Sequence, residues 1–153
     1  MSAFNELAEF FRTFPGIGPR QAKRFVYYLL SRDRASLDRF TKLVGELKSE
    51  IRICNSCYRF FSDKNPLPVC AICSDMNRDR ASLMIVARDT DLEAVEKSGV
   101  WSGQYFVLGG SVPLLEKAPE SRIRSRELLA RLQKEKNTIK EIVLGMNFTP
   151  EGE

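Results

Sequence analysis

The chain has 153 residues, 43% hydrophobic and 29% charged, with a net charge of +4, a composition of soluble globular proteins rather than of disordered or fibrous ones. No apolar run approaches the roughly 18–20 residues of a membrane span. The segment Met1–Glu6 lacks the basic and apolar regions of a secretory signal, so the cytoplasm is the expected location. Histidine is absent, which excludes Ser-His and Cys-His catalytic pairs, an imidazole base and any His metal ligand. The charge is also uneven: residues 1–60 hold 11 Lys and Arg against 6 Asp and Glu, while residues 61–153 hold 13 against 14. Such asymmetry points the N-terminal third toward a polyanion, or else marks a solvated basic face.

Residues 3–13 place Phe4, Leu7, Ala8 and Phe11 on one face of a helix, with Ser2 as N-cap. Phe14-Pro15-Gly16-Ile17-Gly18-Pro19-Arg20 then ends that helix in a tight turn, and Pro19 suits the first turn of a second helix. Over about 19–31 the second helix carries two stripes. Ala22, Phe25, Val26, Leu29 and Leu30 form an apolar face, and Arg20, Lys23, Arg24 and Tyr27 form a basic one. A glycine turn at a helix N-terminus offers backbone N–H groups and a positive dipole end to phosphate, so Gly16, Ile17 and Gly18 are candidate phosphate contacts. Arg20, Lys23 and Arg24 would neutralise neighbouring phosphates without reading bases. The pattern resembles the helix-hairpin-helix family of DNA-binding motifs; the competing reading is an ordinary αα-hairpin with a solvated basic face. A third helix, about 36–50, sets Leu37, Phe40, Val44, Leu47 and Ile51 in a seam for packing on the hairpin or on another subunit.

Next comes Cys54-Asn-Ser-Cys57, twelve residues, then Cys70-Ala-Ile-Cys73. Two CxxC knuckles on a short ribbon can place four thiolates tetrahedrally around one zinc ion, and four protein ligands leave no open position, so the site reads as structural. Two disulfides would suit an oxidising compartment. A redox CxxC would open a helix within a βαβ unit, and neither pair is expected to do so. The ribbon has little apolar stock of its own, so metal binding is expected to carry its folding.

Asp75–Arg80 reads as a polar connector. Leu83–Ala87 is a continuous apolar run, as in a strand covered on both faces. Residues 90–98 read as a helix stopped by Gly99, Tyr105–Leu108 as a second strand, 121–136 as a charged helix and Ile139–Leu144 as a third strand. Strand, helix, strand, helix, strand predicts a parallel α/β sheet. Ligands gather at the carboxyl ends of such strands. Asp89 and Asp91 lie there, while the third strand offers Asn147 and Thr149 rather than acids. No GxxxxGK[ST] motif supports nucleotide hydrolysis.

A helical hairpin, a four-cysteine finger and an α/β unit in this order resemble the bacterial recombination mediator family RecR over essentially the whole chain. The segments that carry the resemblance are Phe14-Pro-Gly-Ile-Gly-Pro-Arg-Gln-Ala-Lys-Arg24, the cysteine quartet, Glu96-Lys-Ser-Gly-Val100, Tyr105-Phe-Val-Leu108 and Asn147-Phe-Thr-Pro-Glu-Gly-Glu153. It implies a Toprim fold from about residue 80, a role beside RecO and RecF in loading recombinase onto gapped single-stranded DNA, assembly into rings, and no turnover. Three features depart from the pattern. Ala87 stands where a glutamate usually ends the first strand, Asn147-Phe148-Thr149 replaces an Asp-x-Asp pair, and the family continues beyond the position of Glu153, which puts ring assembly in question.

The expected architecture is therefore α+β and multi-module. It comprises a helix-hairpin-helix region (1–52), a C4 zinc ribbon (53–76) and an incomplete Toprim-like domain (77–153). The expected function is that of a non-catalytic, homo-oligomeric DNA-binding mediator, with the ribbon as a brace between hairpin and α/β unit. The alternatives are a Mg²⁺-dependent Toprim nuclease or primase-like enzyme using Asp89, Asp91 and Glu151, and a dimerising adaptor.

Overall fold

A computed structural model describes residues 2–62, 66–112, 115, 117–118 and 121–147. The chain divides into two compact units, Met1–Ser49 and Glu50–Glu153.

The first unit is helical: α1 (Ala3–Arg12), α2 (Pro19–Leu30) and most of α3 (Arg34–Glu50). The Ser2 hydroxyl accepts the Asn5 N–H at 3.4 Å and so caps α1, and Pro19 opens α2 behind an extended Gly18 N-cap. Ala8 and Phe11 of α1 bury against Ala22 and Val26 of α2, with Phe4, Leu7, Ile17 and Leu29 around them. Phe11 also meets Phe14 and Phe25 edge-to-face at 5.7 and 5.5 Å. The apolar face foreseen for α2 is narrower than its sequence stripe, since Phe25 and Leu30 stay exposed. The α3 seam does not close in this unit: no α3 residue is fully buried, and Phe40, Val44 and Leu47 face outward.

The second unit begins with an antiparallel pair, β1 (Arg52–Ile53) and β2 (Phe60–Phe61), followed by a one-turn helix α4 (Ala71–Ser74). Next come β3 (Asp79–Val86), α5 (Asp89–Ser98), β4 (Gly103–Val107), α6 (Ser125–Lys134) and β5 (Glu141–Gly145). The last three strands form a parallel sheet in the order β4-β3-β5, the arrangement that the strand–helix alternation predicts. The central strand is longer than its apolar run: it starts at Asp79, inside the expected connector, and shifts register between Asp79 and Leu83. At the start of β4, a Cβ on Gly103 would lie 2.6 Å from the Ser82 carbonyl oxygen, so only glycine lets β4 begin this close to β3.

Leu83, Ile85, Phe106 and Leu108 bury on one face, packed by Ile123, Leu128, Leu132 and Ile139. Val86, Leu92, Tyr105 and Val107 bury on the other face together with all four cysteines, Phe61 and Ile72. The ribbon thus has no separate core and shares that of the sheet. Each fully buried Leu, Val or Phe here contributes about 1.5–3 kcal/mol relative to exposure.

The outer edge of β4 shows how the ribbon is held. Gly103, Tyr105 and Val107 direct their backbone groups away from β3, and each of their carbonyls is met by a guanidinium. Arg78 Nε donates to Gly103 O at 3.0 Å, Arg131 Nη1 to Tyr105 O at 2.7 Å, and Arg124 Nη1 to Val107 O at 2.9 Å. Beside them Val107 N–H donates to Cys57 O at 2.8 Å. An edge strand left bare would invite pairing with another chain; here arginines and a cysteine knuckle cover it.

Candidate metal centre and nucleic-acid interface

Cys54 and Cys57 follow β1 at the end of the ribbon, Cys70 is the N-cap of α4 and Cys73 lies within it. All four Sγ atoms lie within 4.8 Å of one another, and the residues are buried. The Cys57 and Cys70 sulfurs stand 3.7 Å apart, close to the edge of a sulfur tetrahedron built on metal–sulfur bonds of about 2.3 Å. Cys70 N–H points at the Cys54 sulfur at 3.3 Å, the kind of contact that supports a thiolate ligand. The first knuckle turns through Tyr58, whose φ of 62° is left-handed and whose N–H donates to Cys54 O. Hydrogen bonding to the Cys54 sulfur, then the neighbouring Cys70 sulfur and burial, pushes the Cys57 and Cys73 thiols up. Four thiolates at this spacing repel, so full ionisation of the quartet requires a cation among them. The four cysteines are positioned to bind one metal ion, with no other group of three or more metal-ligating side chains among the described residues. The second CxxC opens a short helix, with Cys70 at the N-cap of α4. That helix has four residues and lies outside any βαβ unit.

In the first unit, Gly16 takes φ +74°, the left-handed turn that the Pro-Gly sequence calls for. Of the three residues proposed to offer N–H groups, Ile17 already donates to Phe14 O at 3.1 Å and packs its side chain into the hairpin core. The first helical bond of α2 runs from Ala22 N to Gly18 O, so the N–H groups of Arg20 and Gln21 open from the helix start. Gly18, Arg20, Lys23 and Arg24 are all exposed, and no Cβ neighbour crowds Gly18. Arg24 donates to the Gln21 side chain at 3.2 Å. Tyr27, at the end of the stripe, leans edge-on against Phe4 at 5.1 Å.

At the carboxyl edge of the sheet the two foreseen acids are engaged in structure. Asp89 Oδ1 accepts the Phe60 N–H at 2.7 Å and ties α5 to the ribbon. Asp91 Oδ2 accepts the Arg88 N–H at 3.0 Å and caps α5. Ala87, buried just past β3, supplies no carboxylate, and Asn147 is exposed. Phe148, Thr149 and Glu151 lie outside the described residues.

Sequence reasoning missed two networks. Arg78 clasps Glu96 through both carboxylate oxygens at 2.6 and 2.8 Å, and the Tyr105 hydroxyl donates to the same carboxylate at 2.7 Å. Burial, reinforced by the adjacent Glu96 charge, pushes the Tyr105 hydroxyl up. Glu96 and Tyr105 both lie in segments that carry the family resemblance, which was the available signal. Arg131, buried, also joins Ser56 O at 3.0 Å to the β4 edge and pairs with Glu135 at 3.3 Å. In sequence it is indistinguishable from Arg126, the other arginine of α6.

A helical module, a four-cysteine centre and a parallel sheet on one chain define a multi-module α+β protein. The helix-hairpin-helix model of RecR matches residues 4–47, and a Toprim domain model matches residues 81–153. A recombination protein RecR of Lactobacillus delbrueckii subsp. bulgaricus is 34% identical over 96% of this chain and 71% of its own length. Those of Syntrophobacter fumaroxidans and Mycobacterium leprae are each 33% identical, over 97% and 91% of this chain and 71% and 68% of their own lengths. The chain belongs to the RecR family.

Proposed function

We propose that this protein is a non-catalytic, DNA-binding mediator of recombinational repair. It acts in the cytoplasm with RecO- and RecF-like partners to help load recombinase on gapped or single-stranded DNA, as a homo-oligomer. The observation that carries this reading is the basic face at the start of α2. There Arg20, Lys23 and Arg24 stand exposed beside the Gly16–Gly18 turn, next to the positive end of a helix dipole. Contacts of this kind are to phosphate, so binding should be largely independent of sequence and fall steeply with salt. Zinc is the metal assigned to the quartet, since four thiolates in a closed tetrahedron suit it and leave no site for substrate. Turnover is not part of the reading, because Asp89 and Asp91 serve backbone groups and Ala87 offers no ligand.

Lys23→Glu with Arg24→Glu should abolish binding of labelled oligonucleotide in a salt-titrated anisotropy assay while the helical circular dichroism stays unchanged. Unaltered affinity in the double variant would remove the α2 face from the interface. Cleavage or synthesis on labelled DNA with Mg²⁺ or Mn²⁺ would favour the enzymatic alternative.

A further inference from the structure

A second site lies beside the Arg131 bridge between ribbon and sheet. Between the first cysteine knuckle and α6 runs a cleft of about 420 Å³, lined by Asn55, Tyr58, Val69, Ala130 and Lys134 among others. It shares Ser56, Cys73, Arg80, Arg131 and Glu135 with a smaller chamber of about 170 Å³ whose remaining walls are Gln104 and Thr138. Gln104 is 5% exposed, and its Nε2 is a buried donor with no hydrogen-bond partner among the described residues. Leaving such a group unpaired costs about 1–3 kcal/mol, so buried amides normally find an acceptor.

The walls are rich in donors. Arg80 is exposed and donates only to the Met76 sulfur, at 3.4 Å, among the described residues. Lys134 stands at the rim. Arg131 and Glu135 neutralise one another, which leaves Arg80 and Lys134 facing the single acid Glu127, a positive balance. A guanidinium fork and an unpaired amide N–H₂ in a chamber of this size fit a planar, two-oxygen acceptor. We infer that this cleft is a carboxylate-binding site in which Arg80 holds the ligand and Gln104 supplies the inner donor. The carboxylate is either a free small acid or an Asp or Glu side chain carried on a partner segment lying along the outer cleft.

The test is a ¹⁵N NMR titration of the metal-loaded chain with acetate, with an acidic hexapeptide and with inorganic phosphate, reading the Gln104 side-chain N–H₂ pair. Acetate or the peptide should shift that pair, and Arg80→Gln should weaken binding about tenfold or more. Gln104→Leu should do the same while melting no lower than the parent, because it removes the unpaired amide. A peptide affinity at least tenfold above that of acetate, with shifts reaching Asn55 and Ala130, assigns the site to a partner; equal affinities assign it to a free acid. No shift at Gln104 with either carboxylate, binding unaffected by Arg80→Gln, or phosphate binding as tightly as carboxylate would each overturn the assignment. Arg80 is a surface residue, so that variant stays informative even if Gln104→Leu fails to fold.

Discussion

Arg131→Met tests how the cysteine ribbon is fastened to the sheet. Methionine keeps most of the apolar stem but removes the guanidinium that bonds Tyr105 O at 2.7 Å and Ser56 O at 3.0 Å. Tyr105 is fully buried, so its carbonyl would lose a charged donor in the interior. Each hydrogen bond from a charged donor is worth about 1.5–3 kcal/mol on removal, and relief from desolvating a buried cation offsets part of that sum. A net loss of about 3 kcal/mol follows. For a unit of this size it corresponds to a fall in Tm of roughly 15 °C. Trp101, the sole tryptophan, packs on the shared core, so its fluorescence in a urea titration of the metal-loaded protein reads this unit. The midpoint should drop at constant slope, and metal transfer to a chromophoric chelator should quicken, because Ser56 sits within the first knuckle. Lys134→Met, on the same helix at an exposed position, should leave both unchanged. A loss below about 1 kcal/mol for Arg131→Met would mean that packing alone holds the ribbon and that the guanidinium bridge is incidental.

Three further outcomes are expected. Removing the metal with a strong chelator, or substituting Cys70→Ser, should abolish the cooperative Trp101 transition, since the cysteines belong to the same core as Tyr105 and Val107; an unchanged transition would show the centre to be dispensable. The Tyr105 hydroxyl is raised in the folded state, so its contribution is complete below the unfolded value of about 10 and is lost as pH rises through the folded one. Tyr105→Phe should therefore cost about 1 kcal/mol near neutrality and lessen the alkaline fall in stability, which melts between pH 8 and 11 can check. Gly16→Ala meets no atom within 4 Å but must adopt φ +74°. It should cost about 1–2 kcal/mol by circular dichroism melts and weaken DNA binding less than the double charge reversal.

The local structure follows from the sequence because its signals are short-range. Ser2, Pro19 and Gly99 mark helix ends by their own conformational preferences, the apolar period of residues 3–13 gives one helix face, and the CxxC spacing brings thiols to hydrogen-bonding distance. Where an outcome depended on what lies across space, the sequence was silent. Asp89 and Asp91 looked like free carboxylates, yet each is occupied by a backbone N–H, one of them 29 residues away on the ribbon. The α3 seam has a helical period, yet Phe40, Val44 and Leu47 stay exposed in its own unit. Arg131 and Arg124 read as solvent charges because their partners are carbonyls of an edge strand more than ten positions distant. The chain's own order thus determined its helical hairpin, the clustering of its four cysteines and the strand–helix alternation of its sheet. Only the tertiary fold decided that the ribbon and the sheet share one core, because hydrogen bonds to backbone carbonyls carry no residue code and burial belongs to no single segment.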